Sequence, residues 1–162
     1  MPITIYEVGD GLGGYIVYEG KLRTLDELAI HAALLSWEPK LRIWMFILLD
    51  YSAAEDIDFT SAELVTIAES AKRIATVTRD GFVLALVTPL SHVFGLARMW
   101  QVFSEPLPWE TVVFRSLDEA ERWVRKKVSA TFGTELDRPI KEFPLTKVEV
   151  VSVEARRAQL DG

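Results

Sequence analysis

The chain has 162 residues, a net charge of −6 and no cysteine. Its length suffices for one domain with a hydrophobic core, and a hydrophobic fraction of 49% is typical of a folded globule. The lack of cysteine excludes disulfides, thiol nucleophiles and cysteine-ligated metal centres, as expected in a reducing compartment. Negative charge disfavours nucleic acid as a partner. The longest apolar run, residues 43–49, is too short to span a membrane, and no signal peptide is visible, so we expect a cytoplasmic protein.

The first predicted elements form an antiparallel hairpin followed by a helix. Residues 3–8 and 15–19 have the composition of strands, and the glycine-rich segment 9–14 between them is typical of a turn. Thr24 and Glu27 have the spacing of a capping box, in which each side chain satisfies a free backbone N–H at a helix start. We therefore expect a helix that is capped by Thr24.

Strands and helices then alternate. Residues 43–49 and 82–87 are predicted buried strands, separated by an acidic connector at 51–59 and a helix that Thr60 and Glu63 cap as a second box. Further along, the pattern predicts a helix at 90–103, a strand at 111–114 and a helix at 117–128 whose cap is Ser116. This order predicts an α/β fold with a mixed sheet of about five strands and about four core helices.

The C-terminal region has a different character. We assign residues 1–132 to the α/β domain and residues 133–162 to a C-terminal extension. Residues 147–153 alternate polar and apolar side chains, which predicts an edge strand. A lone strand is unstable in water, so it must pair with the hairpin edge of its own chain or with a neighbouring subunit. The long connector favours a homodimer.

The glycines Gly9, Gly11 and Gly14 match the dinucleotide-binding fingerprint literally. That site requires a helix N-terminus behind the glycines, whereas a predicted strand follows them here. A hairpin turn is the better interpretation, and we expect no cofactor. The two histidines, His31 and His92, lie in separate helices without the spacing of metal ligands, so we interpret them as ordinary surface or boundary residues and expect no metal site.

Acidic residues follow the first buried strand after the hairpin. In open α/β sheets, sites gather at the carboxyl ends of strands. The position of Glu55, Asp56 and Asp58 therefore suits an active site, but their composition equally suits a solvated loop, which we favour. An enzyme that uses Asp56 or Asp58 as a base is the less favoured alternative, because no partner group is evident.

The helix predicted at 90–103 is apolar most of the way round, unlike an ordinary surface helix. It is either buried on two sides or open to a ligand or partner. We expect Val93, Ala97 and Trp100 to face the sheet. A second stripe is left to line a cavity or contact a partner, at positions i, i+3, i+4 and i+7: Leu96, Met99, Trp100 and Phe103.

Four segments carry a resemblance to a known family: Asp50-Tyr51-Ser52, Asp58-Phe59-Thr60-Ser61, Val93-Phe94-Gly95-Leu96-Ala97-Arg98-Met99 and Val113-Phe114-Arg115-Ser116-Leu117-Asp118-Glu119-Ala120-Glu121-Arg122-Trp123-Val124. Together they resemble the SpoIIAA-like branch of the STAS domains. That family includes anti-sigma-factor antagonists and the cytoplasmic domains of sulfate transporters. The resemblance covers roughly residues 3–128 and leaves the C-terminal region unexplained.

The resemblance implies a STAS-like sheet in a bacterial, non-enzymatic regulatory module that acts by protein–protein interaction. Antagonists of the family carry Asp-Ser-Ser-Gly, whose second serine is phosphorylated. Asp58 takes the position of that aspartate and Thr60 the position of the phosphoacceptor, while Phe59 and Ser61 depart from the motif. The branch also resembles lipid-binding CRAL-TRIO folds. A carrier of a small apolar or lipid-like ligand is therefore the alternative function.

Overall fold

The computed structural model describes residues 3–151, apart from the side chain of His92. Within that range, six strands form one mixed sheet in the order β5-β4-β3-β2-β1-β6. The strands β2 to β5 are parallel, and β1 is antiparallel to both β2 and β6. The predicted α/β class is thereby confirmed. Their bounds are Ile3–Val8 (β1), Gly13–Leu22 (β2), Phe46–Ile57 (β3), Val83–Val87 (β4), Glu110–Phe114 (β5) and Leu145–Val151 (β6).

Helices cover both faces of this sheet. They comprise Thr24–Ser36 (α1), Glu38–Leu41 (α2), Ser61–Ala75 (α3), Ser91–Phe103 (α4) and Leu117–Phe132 (α5). Successive side chains of a strand point to opposite faces. Accordingly, Ile47 and Leu84 pack in one hydrophobic cluster with α1, α3 and α4, whereas Phe46 and Ala85 pack in another with α5. We call the first side the three-helix face and the second the α5 face.

The strand β3 is longer than the sequence predicts. The expected acidic connector at 51–59 is wrong for most of its length, because β3 continues to Ile57. The pairing with β4 ends at Asp50, but β2 extends further and pairs Leu22 with Ile57. This non-local pairing holds an acidic, loop-like segment in the sheet and makes Tyr51 a buried strand residue.

The start of α1 also differs from the prediction. The N-cap is Arg23 rather than Thr24, and the backbone N–H of Arg23 donates to Asp26 Oδ2 over 2.8 Å. With the cap at Arg23, Asp26 rather than Glu27 takes part in the capping, and the side chain of Glu27 is buried. The predicted cap at Ser116 is confirmed, since its Oγ accepts a hydrogen bond from the backbone N–H three residues later.

The C-terminal region is joined to the domain. The strand β6 pairs antiparallel with β1, and residues 152–153 of the predicted strand lie outside the described residues. Leu136 and Ile140 are buried in the hydrophobic cluster on the α5 face. Residues 133–151 therefore share the core of the domain rather than extending from it. The strand needs no second subunit for its pairing, and the homodimer remains a prediction.

The glycine-rich segment forms the predicted hairpin turn. Gly9 and Gly11 have φ angles of 56° and 76°, which only glycine adopts without strain, and the chain then enters β2 rather than a helix. Gly14 has a different role, because a Cβ at this position would lie 2.5 Å from Cζ3 of Trp44. The missing side chain therefore makes room for the Trp44 ring.

Replacement of Gly14 by alanine tests this close approach. We expect Gly14→Ala to lower the free energy of unfolding by about 1–3 kcal/mol, because the added methyl group must displace the buried Trp44 ring. Gly95, which lies inside α4 with no atom within 4 Å of an added Cβ, provides the control. Gly95→Ala should raise that free energy by about 0.5–1 kcal/mol. Urea unfolding measures both changes. If Gly14→Ala raises the free energy of unfolding as much as Gly95→Ala does, the Trp44 ring moves aside without cost.

Candidate functional site

An apolar cavity of about 70 Å³ lies between the three-helix face of the sheet and the helices α1, α3 and α4. An engineered cavity of about 150 Å³ in another protein holds benzene, so the enclosed space here is too small for a long lipid chain and accommodates a single ring only in part. The strands contribute the side chains that alternate toward this face: Tyr18, Ile47, Leu49, Tyr51, Ile57, Leu84 and Leu86. The helices contribute mostly aliphatic side chains, among them Ile30, Leu34, Leu64, Ile67, Ala71, Ile74, Val93 and Ala97.

The cavity communicates with solvent. Four of its lining side chains are only half-buried, namely Leu49, Phe59, Leu96 and Trp109. The exposure of Leu49 is informative because this residue belongs to β3, which has a strand on either side. Such a position is ordinarily covered by helices, so solvent must enter between the helices that flank it.

One carboxyl group lies on the cavity wall. Glu27, on α1, is 5% exposed. The hydroxyl of Tyr51 donates to Glu27 Oε1 over 2.6 Å, and the hydroxyl of Tyr18 donates to Oε2 over 3.4 Å. The two tyrosine rings stack with their centroids 4.1 Å apart. Adjacent strands thus present two hydroxyl groups that hold the carboxyl in one orientation.

Burial raises the pKa of Glu27 to about 7, because the charged form loses its hydration. The hydrogen bonds from Tyr51 and Tyr18 act in the opposite direction, since they stabilise the carboxylate, but they offset only part of that cost. Both protonation states of this carboxyl are therefore populated near neutral pH.

His31, one helical turn after Glu27, is buried as well, so the expectation of a surface or boundary histidine is wrong for this residue. Its Nδ1 lies 2.8 Å from Ser70 Oγ on α3. Burial lowers the pKa of His31 to about 4, because charging the ring in an apolar site is costly. The ring is consequently neutral at pH 7 and supplies no positive charge to Glu27.

The predicted ligand or partner patch on α4 is divided between two environments. Leu96 and Trp100 line the cavity, together with Val93 and Ala97. Met99 and Phe103 instead point outward, with 37% and 36% of their surfaces exposed. The helix thus has an inner apolar side that contacts the cavity and an outer apolar side that contacts solvent.

The candidate site residues suggested by the STAS resemblance and by the acidic segment lie outside the cavity lining. Thr60 is the N-cap of α3, as predicted: its Oγ1 accepts from the backbone N–H of Glu63, whose carboxyl accepts from the N–H of Thr60, both over 3.1 Å. Asp58, Asp56 and Thr60 are exposed and are not among the residues that line the cavity. The role of Thr60 as a phosphoacceptor remains a prediction.

Sequence reasoning missed the polar part of the cavity. The sequence pattern places Glu27 in a capping box, and the tyrosines of β2 and β3 carry no signal by themselves. A signal was nevertheless present on α1, where Glu27 and His31 occupy positions i and i+4 of a stripe that continues with Ile30 and Leu34. Two polar side chains within an apolar stripe indicate a buried polar site.

Among residues 3–151, no group of three or more acidic or histidine side chains is arranged to hold a metal ion. No helix in this range is both long enough and apolar enough to cross a membrane. No protein-family model matches the chain, and no curated protein matches it significantly. The assignment to the STAS family therefore remains a prediction, and the function has to be argued from the cavity.

The raised pKa of Glu27 predicts a pH-dependent stability difference between the wild-type protein and Glu27→Gln. Below pH 4.5, the ordinary pKa of this carboxyl, it is protonated in both the folded and unfolded protein. Between pH 4.5 and 7 the unfolded state loses the proton first, so the wild-type protein loses stability as the pH rises. We therefore expect the free energy of unfolding of Glu27→Gln, relative to that of the wild-type protein, to increase by about 3 kcal/mol between pH 4.5 and pH 7.

Urea unfolding of both proteins from pH 4 to pH 8 measures this difference. His31 acts in the opposite direction, because its lowered pKa makes both proteins less stable as the pH falls from 6.5 toward 4. That contribution cancels in the difference between the two proteins. The exposed Glu55→Gln is a matched control and should follow wild type at every pH. A constant difference between wild type and Glu27→Gln would contradict the raised pKa.

Proposed function

We propose that this protein is a non-enzymatic binding module that takes a small, largely apolar molecule into the cavity beneath α1, α3 and α4. The observation that carries the proposal is an apolar cavity, open to solvent at Leu49, with a single oriented carboxyl, Glu27, on its wall. Sites for small molecules characteristically combine apolar walls with a few placed polar groups.

The cost of this arrangement supports a binding role. Protein cores are ordinarily close-packed, and a void of about 70 Å³ costs about 2 kcal/mol at the slope observed for core cavities. A buried carboxyl whose pKa is raised lowers stability further at neutral pH. A core that served packing alone would avoid both costs. A ligand that fills the cavity and contacts Glu27 would offset them.

The enzymatic alternative has weaker support. Asp56 and Asp58, its proposed bases, are exposed and stand apart from the residues that line the cavity. Glu27 is the carboxyl on the cavity wall, and both of its oxygens accept hydrogen bonds from tyrosine hydroxyls. We therefore propose binding rather than catalysis.

A regulatory role by protein–protein contact is the second candidate, in line with the STAS resemblance. The outer side of α4 supports it, since Met99, Val102 and Phe103 form an exposed apolar stripe and Val102 is 65% exposed. Exposed apolar stripes of this kind mark contact surfaces for partners. The two candidates are compatible, because they use opposite sides of the same helix.

Titration with toluene, a single-ring apolar probe, tests the proposed cavity site. At ten times its dissociation constant, a ligand that binds only the folded protein adds about 1.4 kcal/mol of stability. Ala97→Leu adds three carbons at the cavity wall and should abolish this stabilisation. Met99→Asp changes the exposed side of the same helix and should leave it intact. Thermal melts and the fluorescence of Trp100 and Trp109, which line the cavity, report binding.

The same variants separate the two candidate functions. Absence of toluene binding to the wild-type protein, or equal binding to Ala97→Leu, would show that the cavity is not a ligand site. Dissociation of an oligomer by Met99→Asp in sedimentation velocity, with the fold retained, would support the contact surface on α4. Unfolding by Met99→Asp would instead show that Met99 contributes to the core.

A further inference from the structure

The carboxyl of Glu27 lacks a cationic partner on the cavity wall. Among the described residues that line the cavity, none is lysine or arginine. The one lining histidine, His31, is neutral at pH 7 because burial lowers its pKa. The donors that reach Glu27 are the uncharged hydroxyls of Tyr51 and Tyr18. The site therefore carries a potential negative charge with no positive charge to balance it.

Glu27 also has hydrogen-bonding capacity to spare. An ionised carboxylate offers about four acceptor positions on its two oxygens. Tyr51 and Tyr18 occupy one position on each oxygen, and the stacked rings hold those hydroxyls in place. The remaining positions belong to a group that lines the cavity. A ligand therefore meets an oriented acceptor rather than a mobile side chain.

This arrangement distinguishes ligands by the group at their polar end. A ligand carboxylate would bring a second negative charge into a site whose described lining offers no cation, so its desolvation would be uncompensated. A hydrocarbon would fill the cavity but leave the acceptors of Glu27 unused. An ammonium group would donate to the carboxylate and supply the missing positive charge, and charge-assisted hydrogen bonds of this kind are the strong ones.

We infer, on the basis of the proposed function, that the ligand is a small apolar amine whose ammonium group binds Glu27 while its hydrocarbon part occupies the cavity. Tyr51 and Tyr18 act as positioning residues, because they orient the carboxylate toward the ligand without being its main contact. The walls contributed by Ile30, Leu49 and Leu86 receive the hydrocarbon part.

A series of single-ring compounds tests this inference: toluene, benzyl alcohol, benzylamine and benzoate. They share one ring and differ in the charge and hydrogen-bonding capacity of the substituent. We expect isothermal titration calorimetry at pH 7.5 to give affinities in the order benzylamine, benzyl alcohol, benzoate. Benzylamine should bind at least tenfold more tightly than benzoate.

Variants test whether Glu27 is the source of the preference for benzylamine over benzoate. Glu27→Gln preserves the shape of the side chain but removes the charge, and should reduce the benzylamine-to-benzoate ratio to less than threefold while toluene binding persists. Tyr51→Phe retains the ring and should weaken benzylamine binding severalfold without changing toluene binding. Glu55→Gln makes the same change in net charge at an exposed position and should leave the ratio unchanged.

The outcomes separate this inference from the proposed function. If toluene binds and benzoate binds as tightly as benzylamine, the amine preference is wrong and the cavity function stands. The amine preference is also wrong if Glu27→Gln retains the wild-type ratio. If none of the four compounds binds, the proposed function itself is overturned. The wild-type series decides the preference even if a variant fails to fold, which circular dichroism would reveal.

Discussion

The parallel pairing of β2 with β3 is the constraint on which the rest of the structure depends. It extends from Gly14 and Ile47 to Leu22 and Ile57, well beyond the end of β4. At its start, Gly14 lacks the side chain that would collide with Trp44. Midway along, the pairing brings the rings of Tyr18 and Tyr51 into contact beside α1, and these rings orient Glu27. The polar site thus depends on the pairing of β2 with β3, which continues past the end of β4.

Each face of the sheet carries a buried carboxyl, and the surroundings of the two carboxyls differ. On the α5 face, Asp50 accepts from the hydroxyl of Tyr15 over 2.5 Å and from the backbone N–H of Ser52 over 2.9 Å, within a closely packed cluster. On the three-helix face, Glu27 receives two tyrosine hydroxyls but also lines a cavity. Each carboxyl thus accepts one hydrogen bond on each of its oxygens. Of the two carboxyls, Glu27 is the one that belongs to the cavity lining, and this asymmetry is the basis of the proposed binding function.

The helix α4 connects the two candidate functions. Its inner side, with Ala97 and Trp100, forms part of the cavity wall, and its outer side exposes Met99 and Val102. A ligand that occupies the cavity must pack against the inner side. Any protein partner of the exposed stripe would contact the outer side of the same 13-residue helix. Under our proposal, both apolar sides of α4 are used, which accounts for a helix that is apolar most of the way round.

The sequence by itself determined the features that depend on neighbouring residues: the glycine turn of the hairpin, the caps at Thr60 and Ser116, and the alternation that predicts an α/β fold. Each arises from local backbone chemistry within a few positions. Only the tertiary structure decided the length of β3, the edge that β6 joins and the burial of Glu27. The segment after Tyr51 is acidic and resembles a loop, but the far half of β2 holds it as a strand. Glu27 lines the cavity where the tyrosines of two strands distant from it in sequence donate to its carboxyl, a convergence that no local pattern encodes.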